Sequence, residues 1–156
     1  MDDKNQTLFN AARTGEINLL KTLIDDQADV NARDSKGFTP LIIASYNNRT
    51  EAVKTLLEAG ADVNLPDTGG NTALMGVAFK GYPELAELLL SHGAAINQQH
   101  GNGGTALMFA VMFGRNNVAK LLLQYGADKE IKDFRGLRAL DLAAQQGNME
   151  AVEMLQ

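Results

Sequence analysis

Glycine returns along this chain at a fixed interval of 33 residues, at Gly37, Gly70, Gly103 and Gly136 and again at Gly60, Gly93 and Gly126. A third ladder, Gly15, Asn48, Gly81, Gly114 and Gly147, keeps the same step. Its one exception is Asn, the next-best residue for a left-handed helix stop. Leu8, Leu41, Leu74, Leu107 and Leu140 form a fourth ladder. Registers that share one period make the chain a tandem array of a small supersecondary unit. A unit of 33 residues cannot bury its apolar face alone, so stability must come from the interfaces between neighbours.

The second unit shows how each one folds. Thr39 can cap a helix that starts at Pro40, where a missing N–H costs nothing, and Asn48 can end it. A second helix is expected from about Thr50, with Glu51 near its positive end, through Val53, Leu56 and Leu57 to a left-handed stop at Gly60. A turn over Ala61-Asp62-Val63-Asn64 then leads to the next Asp67. The predicted unit is helix, turn, helix and protruding β-like turn. Equivalent positions hold Ala11-Ala12, Ala44-Ser45, Val77-Ala78, Ala110-Val111 and Ala143-Ala144, small enough for neighbouring first helices to approach closely. Leu23, Leu56, Leu89, Leu122 and Leu155 fill the wider side between second helices. Such a stack is expected to curve, with the short first helices inside.

Thr39-Pro40-Leu41, Thr72-Ala73-Leu74 and Thr105-Ala106-Leu107 are each followed, 21 residues after the Thr, by Gly-Ala-Asp-Val-Asn or a near variant. In residue types and period together the chain resembles the ankyrin repeat family. The resemblance implies an all-α solenoid of helix-turn-helix units with hairpin-like tips and a concave groove. It divides residues 1–156 as a single domain: an N-terminal capping repeat at 1–33, full repeats at 34–66, 67–99 and 100–132, and a partial C-terminal capping repeat at 133–156. Two departures stand out. The family's His after Thr-Pro-Leu is replaced by Phe9, Ile42, Met75, Met108 and Asp141, so packing must replace its hydrogen bonds. Gln27 sits where Gly60, Gly93 and Gly126 sit, which costs about 1 kcal/mol if it is left-handed or else gives the first unit a different turn. In the last unit Asp141, Gln145, Gln146, Glu150, Glu153 and Gln156 suit an end that faces water.

Composition narrows the function classes. Fourteen Lys and Arg against 19 Asp and Glu give a net charge of −5, without the basic footprint of a nucleic-acid or membrane-coating protein. No apolar run approaches the ~18 residues of a membrane span, and the first residues lack the pattern of a signal peptide. With no cysteine there is no disulfide, thiol nucleophile or thiolate metal site, and a cytoplasmic location is expected. The chemistry-bearing candidates are few. His92 precedes a helix stop and His100 replaces a turn-opening Asp, and both read as structural. Gly101-Asn102-Gly103-Gly104-Thr105 lacks the Lys and the preceding strand of a phosphate loop and reads as a tip turn. Asp2-Asp3 and Asp25-Asp26 are adjacent in sequence, so their side chains diverge. Lys129, Lys132, Arg135 and Arg138 face Asp128, Glu130 and Asp133 and read as salt-bridged tips. Asn31, Asn64 and Asn97 occupy the hairpin position that asparaginyl hydroxylases modify in animal ankyrin repeats. No nucleophile, base and oxyanion site assembles, so no catalytic activity, cofactor or metal is expected.

What the resemblance does imply is a binding surface. Five residues after the ladder leucine stand Arg13, Tyr46, Phe79, Met112 and Gln145, of which the middle three are apolar. Phe113 adjoins Met112, and Phe38, Phe134 and Leu137 lie at tip positions toward the same groove. Lys36, Asn47, Asn71, Lys80, Asn102 and Arg135 are the expected polar rim. Apolar side chains exposed in a row ask for a partner, since Tyr, Phe and Met are typical interface anchors. The other reading of Phe79 and Met112 is that they bend under the tips as local core. The expected function is non-catalytic recognition of a partner protein by a monomer. Self-association as a structural scaffold and binding of a small ligand or anion are the alternatives.

Overall fold

The computed structural model describes residues 3–156, so Asp2 of the first acidic pair lies outside the described residues. These residues form ten helices and no strand. The first helices of successive units are α1 (Asp3–Thr14), α3 (Pro40–Tyr46), α5 (Ala73–Lys80), α7 (Ala106–Met112) and α9 (Ala139–Gln145). Each packs on the next in one layer. The second helices are α2 (Ile17–Asp25), α4 (Thr50–Glu58), α6 (Pro83–Ser91), α8 (Asn116–Gln124) and α10 (Met149–Leu155), and they form the other layer.

Local chemistry sets the helix ends. The Thr39 hydroxyl accepts a hydrogen bond from the Ile42 N–H at 3.1 Å, and Thr72 and Thr105 accept from Met75 and Met108 at 3.3 Å. Such caps stabilise a helix by about 1 kcal/mol each. In the last unit Arg138 replaces Thr, and its N–H donates instead to the Asp141 carboxylate at 2.8 Å. Asn48 is left-handed as expected, with φ 57°. Gln27 is left-handed too, at φ 66°, which settles its two readings in favour of the strained one.

The core is one continuous seam through all the units. Leu8, Leu41, Leu74 and Leu107 are buried, whereas Leu140 at the last unit is covered only in part. The small residues between first helices are buried from Ala11 to Ala143, and Ala144, with no helix over it, is exposed. Phe9, Ile42, Met75 and Met108 are buried, so packing does take the place of the family's His. Ser45 is the one misfit in this seam: its hydroxyl is buried and has no hydrogen-bond partner among the described residues.

The tips are stapled in two ways. Within a tip, the carboxylate of Asp34 accepts from the N–H groups of Lys36 and Phe38 at 2.9 Å, and Asp67 and Asp133 repeat the pattern. Between tips, the N–H of Thr68 donates to Lys36 O at 3.1 Å, Gly101 to Gly69 O at 2.9 Å and Phe134 to Asn102 O at 3.0 Å. This ladder pairs backbone as a sheet does, in turns too short to be strands. Asn31, Asn64 and Asn97 add a second row, their side-chain oxygens accepting from the N–H groups of Asp62, Ala95 and Asp128 at 2.7–2.9 Å.

Two outcomes follow for stability. Gln27→Gly relieves the left-handed side chain and is expected to stabilise the fold by about 1 kcal/mol, read as a rise of a few degrees in melting temperature. Gly103→Ala places a Cβ 2.7 Å from the Phe134 N at φ +88°, whereas Gly60→Ala, at φ +92°, meets nothing within 4 Å. Both lose about 1–2 kcal/mol from the left-handed conformation. Gly103→Ala must lose more, and equal melting temperatures for the two variants would show that the tip ladder contributes nothing.

Candidate functional site

Between the tips and the first helices opens a hollow of about 490 Å³. Phe38 comes to it from a tip, Ile42, Ile43, Tyr46 and Asn47 from α3 and its end, Met75, Gly76 and Phe79 from α5, and Phe109 from α7. Arg13 from α1 and Asp67, Asn71 and Thr72 from the neighbouring tip supply the polar edge. One lining residue contributes by the side chain it lacks. On the 33-residue step Gly76 is equivalent to Ile43 and Phe109, and where those two project a side chain Gly76 projects none. A Cβ there would lie 3.7 Å from Cδ1 of Tyr46, an ordinary contact, so the space is free. Glycine within a helix costs about 1 kcal/mol relative to alanine, an expense the fold bears at this point alone among its first helices.

An aromatic row crosses the edge of the hollow. Tyr46 stacks on Phe79 with ring centroids 6.2 Å apart and planes 11° from parallel. Phe79 meets Phe113 edge to face at 4.6 Å and 72°. The Lys80 ammonium sits 4.8 Å from the centre of the Tyr46 ring. Tyr46 and Phe113 are each 43% exposed, Phe79 is half-buried between them, and Met112 is half-buried against the core. Of the two residues with local core as their alternative, Met112 packs against the core and Phe79 packs between two aromatic rings.

The expected site residues fall into two groups. Phe38, Tyr46, Asn47, Asn71 and Phe79 line the hollow, with Lys80 on Tyr46 beside it. Met112, Phe113, Asn102, Phe134, Arg135, Leu137 and Lys36 do not line it. Of these, Phe113 continues the aromatic row, and Phe134 stands 76% exposed on the last tip. Several rim amides are occupied by the fold itself. Asn71 donates to Asp67 at 3.3 Å, Asn47 to Ile43 O at 2.8 Å, and Asn102 accepts from the Gly104 N–H at 2.9 Å. The sequence reading passed over Ile42, Ile43, Met75, Gly76 and Phe109 as lining residues. A glycine inside a helical pattern, set against Ile43 and Phe109 at the same register, is the signal that marks the hollow.

The remaining candidates are structural. His100 accepts the Asn102 N–H on Nδ1 at 3.3 Å, taking the role of the turn-opening carboxylate, and its ring lies 4.9 Å from that of Phe109. The His92 ring nitrogen lies 3.0 Å from Leu88 O at the end of α6. In the glycine-rich tip the N–H groups of Gly101, Asn102, Gly103 and Gly104 are all engaged within the protein, which leaves no cradle for an anion. Arg135 pairs with Asp133 at 2.9 Å, and Arg138 with Glu130 at 3.1 Å and Asp141 at 3.6 Å. Among the described residues no cluster of His, Asp or Glu is arranged to hold a metal, and no helix is long and apolar enough to cross a membrane.

The comparisons with known proteins agree with this geometry. A family model of ankyrin repeats in three copies matches residues 1–67 and 74–156. A second model, of ankyrin repeats in many copies, matches residues 47–90. No curated protein matches the chain.

Asp133 gives the last tip a pH dependence. Burial pushes its carboxyl up, but the N–H of Leu137 and the side chain and N–H of Arg135 outweigh burial and hold it below the ordinary carboxylate range. With a lowered folded pKa, its stabilisation is present above the unfolded value and lost as pH falls through the folded one. The protection of the Arg135 and Leu137 amides, taken relative to their intrinsic exchange at each pH, is expected to fall on acidification across that window. Asp133→Asn keeps an acceptor oxygen for the two amides and removes the titrating carboxyl, so their protection should show no step on acidification.

Proposed function

Because the chain belongs to the ankyrin repeat family, whose repeats are generally protein–protein interaction modules and typically non-catalytic, we propose that it binds a partner protein through the groove between its tips and first helices. The observation that carries this reading is the aromatic row beside an open hollow. Tyr46, Phe79 and Phe113 run across three successive units, and the chain itself leaves Tyr46 and Phe113 half uncovered. Aromatic side chains held by their neighbours lose little entropy on binding, so they anchor a partner at low ordering cost. The tip ladder acts in the same sense, since tips tied to one another present the groove already shaped. The mechanism is occlusion or tethering of whatever occupies the groove.

The test separates binding from folding. Tyr46→Ser and Phe113→Ser remove exposed anchors, and melting temperature is expected to change by no more than a few degrees. Partner capture from source lysate is expected to fall by the amount typical of hot-spot truncation, about 2 kcal/mol or more for at least one of the two. Capture unchanged in the doubly substituted, folded protein would remove the groove from the function. Phe79→Ser and Met112→Ser are expected to lower stability as well, because Phe79 packs between the Tyr46 and Phe113 rings and Met112 packs on the core.

A further inference from the structure

Charge is distributed unequally between the two layers. The first helices and the tips that lead into them, residues 3–14, 33–46, 66–80, 99–112 and 132–145, contain eight Lys and Arg against five Asp and Glu, a net +3. The rest of the sequence contains six basic and 14 acidic residues, a net −8. On the groove side four of the five carboxylates are held within the fold. Asp34, Asp67 and Asp133 accept backbone N–H groups inside their tips, and Asp141 accepts from the Arg138 N–H. Around the hollow, Arg13 and Lys80 form no ion pair with any described carboxylate. Arg13 lines the hollow, and Lys80 stands over the Tyr46 ring at its edge.

The hollow is apolar at its floor, and its edge carries Arg13 and the nearby Lys80 against the one carboxylate of Asp67, which accepts from the N–H groups of Gly69 and Asn71. About 490 Å³ lies within the range of about 300–1,000 Å³ usual for specific pockets. Gly76 keeps it open at the expense of helix stability, between two units that fill the same position with Ile43 and Phe109. We propose that this hollow receives a bulky apolar anchor, aromatic or leucine-sized, from an acidic segment of the partner protein, whose carboxylates lie against Arg13 and Lys80. The inference rests on the groove reading above and adds the chemistry of what the groove takes. A basic segment is disfavoured by like charge at the rim, and a nucleic acid by the net −8 of the remaining chain and the absence of a continuous basic track.

The experiment uses the full chain and random peptides displayed on phage. Peptides selected on the wild-type protein are sequenced, synthesised and titrated by fluorescence anisotropy. Enrichment of Asp and Glu around one aromatic or leucine position is expected. Gly76→Phe, which places in the hollow the residue its neighbour already carries, should weaken the selected peptides about 30-fold or more, whereas Gly76→Ala should retain most of the affinity. Should Gly76→Phe disturb folding, the double variant Arg13→Glu with Lys80→Glu reads the same proposal on side chains at the edge. It should weaken binding and flatten the salt dependence that the wild type shows. Peptides without acidic enrichment, or affinities indifferent to both variants, overturn the proposal, as does selection of a hydrophobic dye in the hollow but of no peptide. If such peptides still lose binding in Tyr46→Ser with Phe113→Ser, the groove reading stands and only its chemistry is wrong. If those substitutions also have no effect, the groove reading itself fails.

Discussion

Close approach of neighbouring first helices is the contact from which the rest of this structure follows. It is permitted by small residues, Ala11, Ala44, Ala78 and Ala110 among them, each buried between two units. No unit has enough apolar surface to fold alone, so every buried side chain in the seam serves two units at once. The same proximity brings the tips into register, where Thr68, Gly101 and Phe134 donate to the carbonyls of the preceding tip. At that spacing only glycine passes at Gly103, whose Cβ would collide with backbone. Seam and ladder are therefore two consequences of one repeat distance.

The groove is what this packing leaves uncovered. Side chains at the ends of the first helices divide between two tasks: Met112 leans onto the core and Phe79 is held between two rings, and Tyr46 and Phe113 stay half in water. Stability and recognition are thus shared along one aromatic row instead of being assigned to separate surfaces. Gly76 shows the same compromise in a single residue, since it gives up helix propensity and packing to keep a space open. Ser45, a buried hydroxyl without a partner in the neighbouring helix, is a second place where the seam is less than ideal, and nothing in the structure explains it.

Much of this was open to inspection in the residues alone. The glycine and leucine ladders led to the unit, its caps and its stops, because left-handed backbone and helix capping depend on only a few adjacent residues. Thr39, Thr72 and Thr105 cap as their positions imply, and Asn48 stops its helix. The candidate site was read less completely. Tyr46, Phe79, Phe38 and Asn71 were found by register, but the hollow they share was not, because it is defined by a missing side chain. Met112 and Leu137 belong to the same registers and lie outside it. The rim amides of Asn71 and Asn102 were expected to face a partner, and instead they hydrogen-bond within their own tips.

Residue order alone settled what depends on chain neighbours and on period: helix pairs, their boundaries, the tandem seam and membership in a family. Three-dimensional packing decided which equivalent residues face water, how deep the groove is, and which charges remain unpaired at its edge. The reason is that burial of a side chain depends on atoms one repeat away in each direction. Tyr46 and Phe79 hold equivalent places in their units, yet Tyr46 remains more exposed than Phe79, because Gly76 lies beside the one and Phe113 packs against the other.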